Sequence, residues 1–206
     1  MEIYENEHDQ ADAVKRFFAN NGKALAVGVV MGIGALIGWR FWSNHQTESA
    51  MGASQAYERV IADAQAGKPD TLDAAGKFVA DNKNVYGALA ALNLAQKYVQ
   101  ANELPKAAAQ LQQGLSATSD ANLQALITLR LARVQIQQKQ ADAALKSLDT
   151  IKGEGWSAIV ADLRGDALLS KGDKQGAREA WSKGVASQAS PALSETMQMK
   201  INNLSS

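Results

Sequence analysis

Hydrophobic and polar positions follow distinct patterns in successive parts of the chain. From Ala24 to Trp42 the sequence ALAVGVVMGIGALIGWRFW is apolar without a period, and its single charge, Arg40, lies near the end. As a helix this run extends roughly 28 Å, close to the hydrocarbon thickness of a bilayer. Trp39, Phe41 and Trp42 stand where an aromatic belt meets the headgroups, and Arg40 can extend outward beside them. The pattern predicts a transmembrane helix over 24–42, a tail over 1–23 and a tethered body over 43–206. A cleaved signal peptide fits poorly, because Glu2, Glu5, Glu7, Asp9 and Asp12 make the preceding region acidic. No small-x-small cleavage site follows the run closely. Lys15, Arg16 and Lys23 precede the span, whereas only Arg40 follows before Arg59, so the tail is expected in the cytoplasm and the body outside it.

The first nine residues, MEIYENEHD, are expected to be loosely structured. Val14, Phe17 and Phe18 then fall at i, i+3 and i+4, as in a segment lying on the membrane surface or in an extension of the same helix. Within the span, Gly28, Gly32, Gly34 and Gly38 form two small-xxx-small pairs. Such a face lets another helix approach closely, from a second membrane protein or a second copy, although glycine is also common in spans generally.

Beyond the span the period is helical. Ala50, Ala53, Tyr57, Val60 and Ile61 define a helix over Ser43–Ala66, GKPD at 67–70 breaks it, and Thr71–Asp81 makes a second, so that the two can form a degenerate hairpin. Three later segments align with one another. Small residues fall at Ala95, Ala132 and Gly165, further small residues at Ala107, Ala144 and Ala177, and bulky ones at Leu111, Leu148 and Trp181. Every column has offsets of 37 and then 33, which marks a repeated unit over about 88–121, 125–157 and 158–191. A small side chain lets two helices of a hairpin close up, and a bulky one a turn later fills the groove between units. Pro191 opens a closing helix over 191–204. The fold class is therefore all-α, a single N-terminal transmembrane helix followed by a solenoid of helical hairpins.

These columns resemble the tetratricopeptide repeat, whose unit is 34 residues. The first spacing here carries three extra residues, assigned to the loop SATSDAN at 116–122. The chain departs from that pattern where a large aromatic is expected and Ala91, Thr128 or Ala161 stands instead. Gln135 replaces an expected Tyr that Tyr98 retains, and Arg164 stands where leucine is usual.

Composition narrows the function classes. Hydrophobic residues make up 46% and aromatic residues 6%, which suits a core of Ala and Leu. Net charge is +0, with no basic stripe of the kind nucleic-acid binding requires. Cysteine is absent, so thiolate metal sites, thiol nucleophiles and disulfides are excluded. His8 and His45 have no partner at ligand spacing, and no hydrolase, phosphate-cradling or dinucleotide motif is present. KGDKQG at 171–176 reads as the turn between two repeat helices. Asp162 and Asp166 lie one turn apart with no partner in view, and read as a solvated face. No catalytic site, metal or cofactor is expected.

Binding is the better prospect. In tetratricopeptide stacks the first helices line a groove, and repeat positions place Val99, Ile136 and Leu169 in one row. Leu92, Leu129 and Asp162 form a second, and Gln96, Arg133 and Asp166 a third of mixed charge. The basic and amide set with which some such domains clamp a C-terminal carboxylate is missing. The expected groove carries an aliphatic stripe suited to an extended apolar peptide or a partner helix, unless the aliphatics are core residues.

The opening MEIYENEHDQADAVKRFFANNGKALAVGVVMGIGALIGWRFW closely resembles the N-terminus of the ancillary SecYEG translocon subunits of gammaproteobacteria, the YfgM family. LARVQIQQKQADAALKSLDTIKGEGW and DLRGDALLSKGDKQGAR resemble that family's repeat region. The resemblance spans essentially the whole chain. It implies an inner-membrane protein with a periplasmic repeat domain. It also implies association with SecYEG and with the periplasmic chaperone PpiD, and a role in handing on newly exported proteins. The alternatives are a scaffold of another envelope assembly, with one folded partner at defined stoichiometry, and an envelope enzyme subunit, which would need strongly perturbed titratable groups in a cleft.

Overall fold

The computed structural model describes residues 3–66, 69–187 and 189–204, with the side chains of 3–14, 46–50 and 69 outside that description. The chain divides into two units, Met1–Gly52 and Ala53–Ser206. All regular structure among the described residues is helical: α1 (Ile3–Gln65), α2 (Pro69–Asp81), α3 (Val85–Gln100), α4 (Leu104–Ala117), α5 (Ala121–Gln137), α6 (Ala141–Asp149), α7 (Ser157–Ser170), α8 (Lys174–Val185) and α9 (Pro191–Asn203), with a short 3-10 turn at Glu154–Trp156 before α7.

In the first unit α1 begins at Ile3, so the opening residues are helical rather than loosely structured. Neither Gly nor Pro occurs before Gly22, and the acidic residues of the opening turns favour a helix N-terminus. Val14, Phe17 and Phe18 belong to this same helix, the extension rather than a separate segment. Lys15–His45 has the length and composition to cross a membrane, and its most apolar 18-residue stretch has a mean hydropathy of 1.8. Its apolar side chains are open on every side, including Val30, Leu36, Trp39 and Phe41. The break expected at GKPD falls partly on residues 67 and 68, outside the described residues, and Pro69 opens α2.

In the second unit the last turns of α1 meet α2 and α3 through one cluster. Tyr57, Val60 and Ile61 pack against Phe78, Val79, Ala90 and Ala91, and the Asn93 amide donates to the Tyr57 hydroxyl at 3.1 Å. Three helical hairpins follow: α3 with α4, α5 with α6, and α7 with α8. First helices touch first helices, α3 with α5 and α5 with α7, and α4 and α6 bridge to the next hairpin.

The repeat columns explain the packing. Ala107, Ala144 and Ala177 are fully buried, and Leu111, Leu148 and Trp181 are each 1% exposed. At Gly165 an added Cβ would stand 2.3 Å from Trp181 Nε1, so the indole lies directly on the glycine. The hairpin turns share one backbone solution. The amides of Glu103, Gln140 and Asp173 donate back to Tyr98, Gln135 and Leu168 at 2.8, 2.8 and 3.0 Å. The residue before each, Asn102, Lys139 or Gly172, has a positive φ of 59°, 63° or 87°. This is a helix C-terminus closed by a left-handed residue, again repeated at offsets of 37 and 33. KGDKQG is such a turn, and the Asp173 carboxylate caps α8 by accepting from the Gly176 amide at 2.8 Å.

The loop expected at 116–122 is shorter, because α4 runs to Ala117 and α5 starts at Ala121. Asp120 caps α5 by accepting from the Leu123 amide at 2.8 Å, and Thr118 Oγ1 accepts from the Asp120 amide at 3.1 Å. Gln135, in place of an aromatic, is buried and accepts from the Ser147 hydroxyl at 2.9 Å. Ser190 caps α9 and Pro191 opens it. Met197 of α9 is fully buried with Trp181 and Ala177.

Candidate functional site

The first helices of the hairpins border a run of cavities. Between α3 and α5 lies one of about 380 Å³, lined by Leu92, Gln96, Val99, Arg130, Arg133 and Val134 among others. Between α5 and α7 lies one of about 350 Å³, with Arg133, Ile136, Asp162, Asp166 and Lys200 in its walls. Arg133 and Gln137 border both. Gln96 and Gln100 are likewise shared with a third cavity, of about 270 Å³, toward Ile61 and Ala64.

The geometry sorts the residues singled out from sequence. Leu92, Gln96, Val99 and Arg133 come together around the α3–α5 cavity, and Arg133, Ile136 and Asp166 around the α5–α7 cavity. Leu129 lines neither. It is 3% exposed in the core between α5, α6 and α7. Leu92 is also largely buried and supplies floor rather than rim. Leu169 is 38% exposed and borders neither cavity. Gly28, Gly32, Gly34 and Gly38 meet nothing within 4 Å in the structure.

The solvated face expected at Asp162 and Asp166 is corrected. Asp162 is 6% exposed. Lys200 of α9 donates to Asp162 Oδ1 at 2.7 Å and to the two Asp166 oxygens at 2.7 and 2.9 Å. Its ammonium also lies 5.6 Å from the Trp181 ring centroid, while Trp181 Nε1 donates to the Asp162 carbonyl at 3.0 Å. Burial acts to lower the Lys200 pKa, but the hydrogen bonds and charges of Asp162 and Asp166 outweigh it and raise the pKa above the ordinary lysine value. Burial raises the Asp166 pKa and prevails over the hydrogen bond from Lys200, with the neighbouring Asp162 charge acting in the same direction as burial. One cation thus holds two carboxylates and ties the closing helix to the last hairpin.

Sequence reasoning missed Gln100, Arg130, Gln137 and Lys200. Arg130 lies one turn before Arg133 and was legible as its neighbour. Lys200 gave no local signal, since its partners lie 38 and 34 residues away. Among the described residues, no group of three or more His, Cys, Asp or Glu is placed to hold a metal.

The stack of helical hairpins agrees with what the chain is similar to. A family profile described as tetratricopeptide repeat-like domain matches residues 15–206. A protein of Escherichia coli (strain K12) named ancillary SecYEG translocon subunit is 72% identical over 205 residues, covering all of both chains. The chain belongs to the ancillary SecYEG translocon subunit family. A family member from Haemophilus influenzae is 34% identical over 96% of this chain and 97% of its own. One from Neisseria gonorrhoeae is 24% identical over 99% of this chain and 100% of its own. No solved structure matches the chain.

Proposed function

We propose that this protein is a membrane-anchored adaptor of the SecYEG translocon. Its apolar helix spans the inner membrane with the N-terminus in the cytoplasm. Its repeat body, in the periplasm, links the translocon to a PpiD-type chaperone and assists newly exported proteins by binding them. Its role is stoichiometric binding rather than catalysis. The observation that carries the reading is the full-length similarity to the Escherichia coli translocon subunit, which takes in the apolar helix as well as the repeats. Two physical features support it. An apolar helix open on all sides needs lipid or a membrane partner around it. Lys15, Arg16 and Lys23 bias its N-terminal flank to the cytoplasmic side.

The test is co-purification from membranes solubilised in mild detergent. The tagged full-length protein is compared with a variant whose residues 24–42 are replaced by an unrelated apolar span. Translocon subunits recovered with the natural span and lost with the foreign one support the adaptor reading. Recovery of no translocon or chaperone subunit by the natural protein contradicts it.

A further inference from the structure

The cavity between α3 and α5 differs from its repeat-equivalent neighbour in one respect that bears on its occupant. Between α5 and α7 the wall carboxylates Asp162 and, at the repeat position one turn later, Asp166 are both met from within the chain by Lys200. The equivalent position one repeat earlier is Arg133. It has a second guanidinium, Arg130, one turn away on the same helix and lining the same cavity. Among the described residues neither arginine has a hydrogen bond or ion pair, and no Asp or Glu lines this cavity. Below them the floor is apolar, with Leu92 and Leu111 almost fully buried. At the rim Gln96 and Gln100 are exposed and offer amides that can donate to and accept from a peptide main chain.

We propose that the α3–α5 cavity holds an extended peptide segment of a partner protein in which an Asp or Glu side chain stands beside an apolar residue. The carboxylate is taken between Arg130 and Arg133, the apolar neighbour lies on Val99 and Val134, and Gln96 and Gln100 pair with the main chain. Charge complementarity selects this occupant. Two planar guanidiniums match a carboxylate, and the apolar floor beneath them favours a peptide over a fully charged polymer. The inference rests on the reading of the body as a partner-binding module and adds to it a preference for acidic–apolar segments.

The test is fluorescence anisotropy with the full-length protein in mild detergent and two labelled unstructured peptides. They are identical except that one carries Asp, and its twin Asn, between Leu and Val. The Asp peptide is expected to bind about tenfold tighter than its twin. The Arg130→Gln/Arg133→Gln double variant should bind both alike, whereas Lys83→Gln, in the exposed turn before α3, should keep the discrimination. Both arginines are exposed, so the double variant should retain the wild-type unfolding curve. Equal binding of the twins by the natural protein overturns the acidic preference alone. So does discrimination that survives in the double variant, or displacement by a single-stranded oligonucleotide at similar concentration. Failure to bind either twin overturns the binding-module reading itself.

Discussion

Gly165→Ala is the sharpest single perturbation of the repeat packing. The new Cβ would lie 2.3, 2.5 and 2.6 Å from Trp181 Nε1, Cδ1 and Cε2, against an ordinary contact of about 3.4–4 Å. The indole therefore has to retreat by roughly 1 Å. It is 1% exposed and enclosed by neighbouring side chains, so it cannot simply swing out into solvent. Retreat also stretches the 3.0 Å bond from Nε1 to the Asp162 carbonyl and moves the ring beneath Lys200. Overpacking of this kind costs about 1–3 kcal/mol and the hydrogen bond about 1 kcal/mol. Alanine in a helix interior returns up to about 1 kcal/mol relative to glycine. The net expectation is a loss of about 2 kcal/mol, read as a lower urea midpoint of the detergent-solubilised protein by circular dichroism. Gly76→Ala in α2 is the internal control. There the added methyl meets only Leu94 Cδ2, at 3.9 Å, so a gain of about 0.5–1 kcal/mol is expected. If Gly165→Ala were as stable as the natural protein, the indole would not be wedged on this face and the packing argument would fail.

Other perturbations follow from the same geometry. Lys200→Met leaves Asp162 and Asp166 facing each other without their cation, and should cost about 2 kcal/mol by the same unfolding assay. The raised Lys200 pKa means that its contribution is complete below about pH 10.5 and is lost as the pH climbs through the folded value. The stability gap between the natural protein and Lys200→Met should therefore narrow above that pH; a gap unchanged into alkali would show that the charge is not what holds α9. Asp166 acts in the opposite sense: its raised pKa costs stability at neutral pH, and the cost disappears as the pH falls through its folded value. Lys139→Gly removes a left-handed strain at φ 63° and should raise stability by about 0.5 kcal/mol, net of the extra freedom glycine has when unfolded. Asp120→Ala removes the cap of α5 and should cost about 1 kcal/mol, visible as a lower thermal midpoint.

The hairpins were readable because close helix contact imposes a hard steric rule on composition. Ala107, Ala144 and Ala177 could not be large, and Leu111, Leu148 and Trp181 had to fill what remained, so fixed offsets survived in the sequence. The long apolar helix was readable for a similar reason, since crossing a bilayer would fix both length and polarity. The groove was less legible. A middle helix such as α5 has two neighbours: Arg130, Arg133 and Val134 border α3's cavity, while Arg133 and Ile136 border that of α7. A single row of repeat positions cannot describe both edges, and Leu129 fell between them into the core. The Lys200 contacts were invisible because they depend on the register of α9 against α7, which no local pattern encodes. The helical opening was missed because a polar, acidic stretch reads as tail, although nothing in it breaks a helix.

We propose that the apolar helix places this protein at the translocon. Site-specific photo-crosslinking in growing cells tests it most directly, with a photoreactive residue placed in turn at each position from Val27 to Ile37 of the full-length protein. Adducts with a SecYEG subunit should recur every three or four positions, as one helix face meets its partner. Absence of translocon adducts from every position, with the protein present in the membrane, would contradict it.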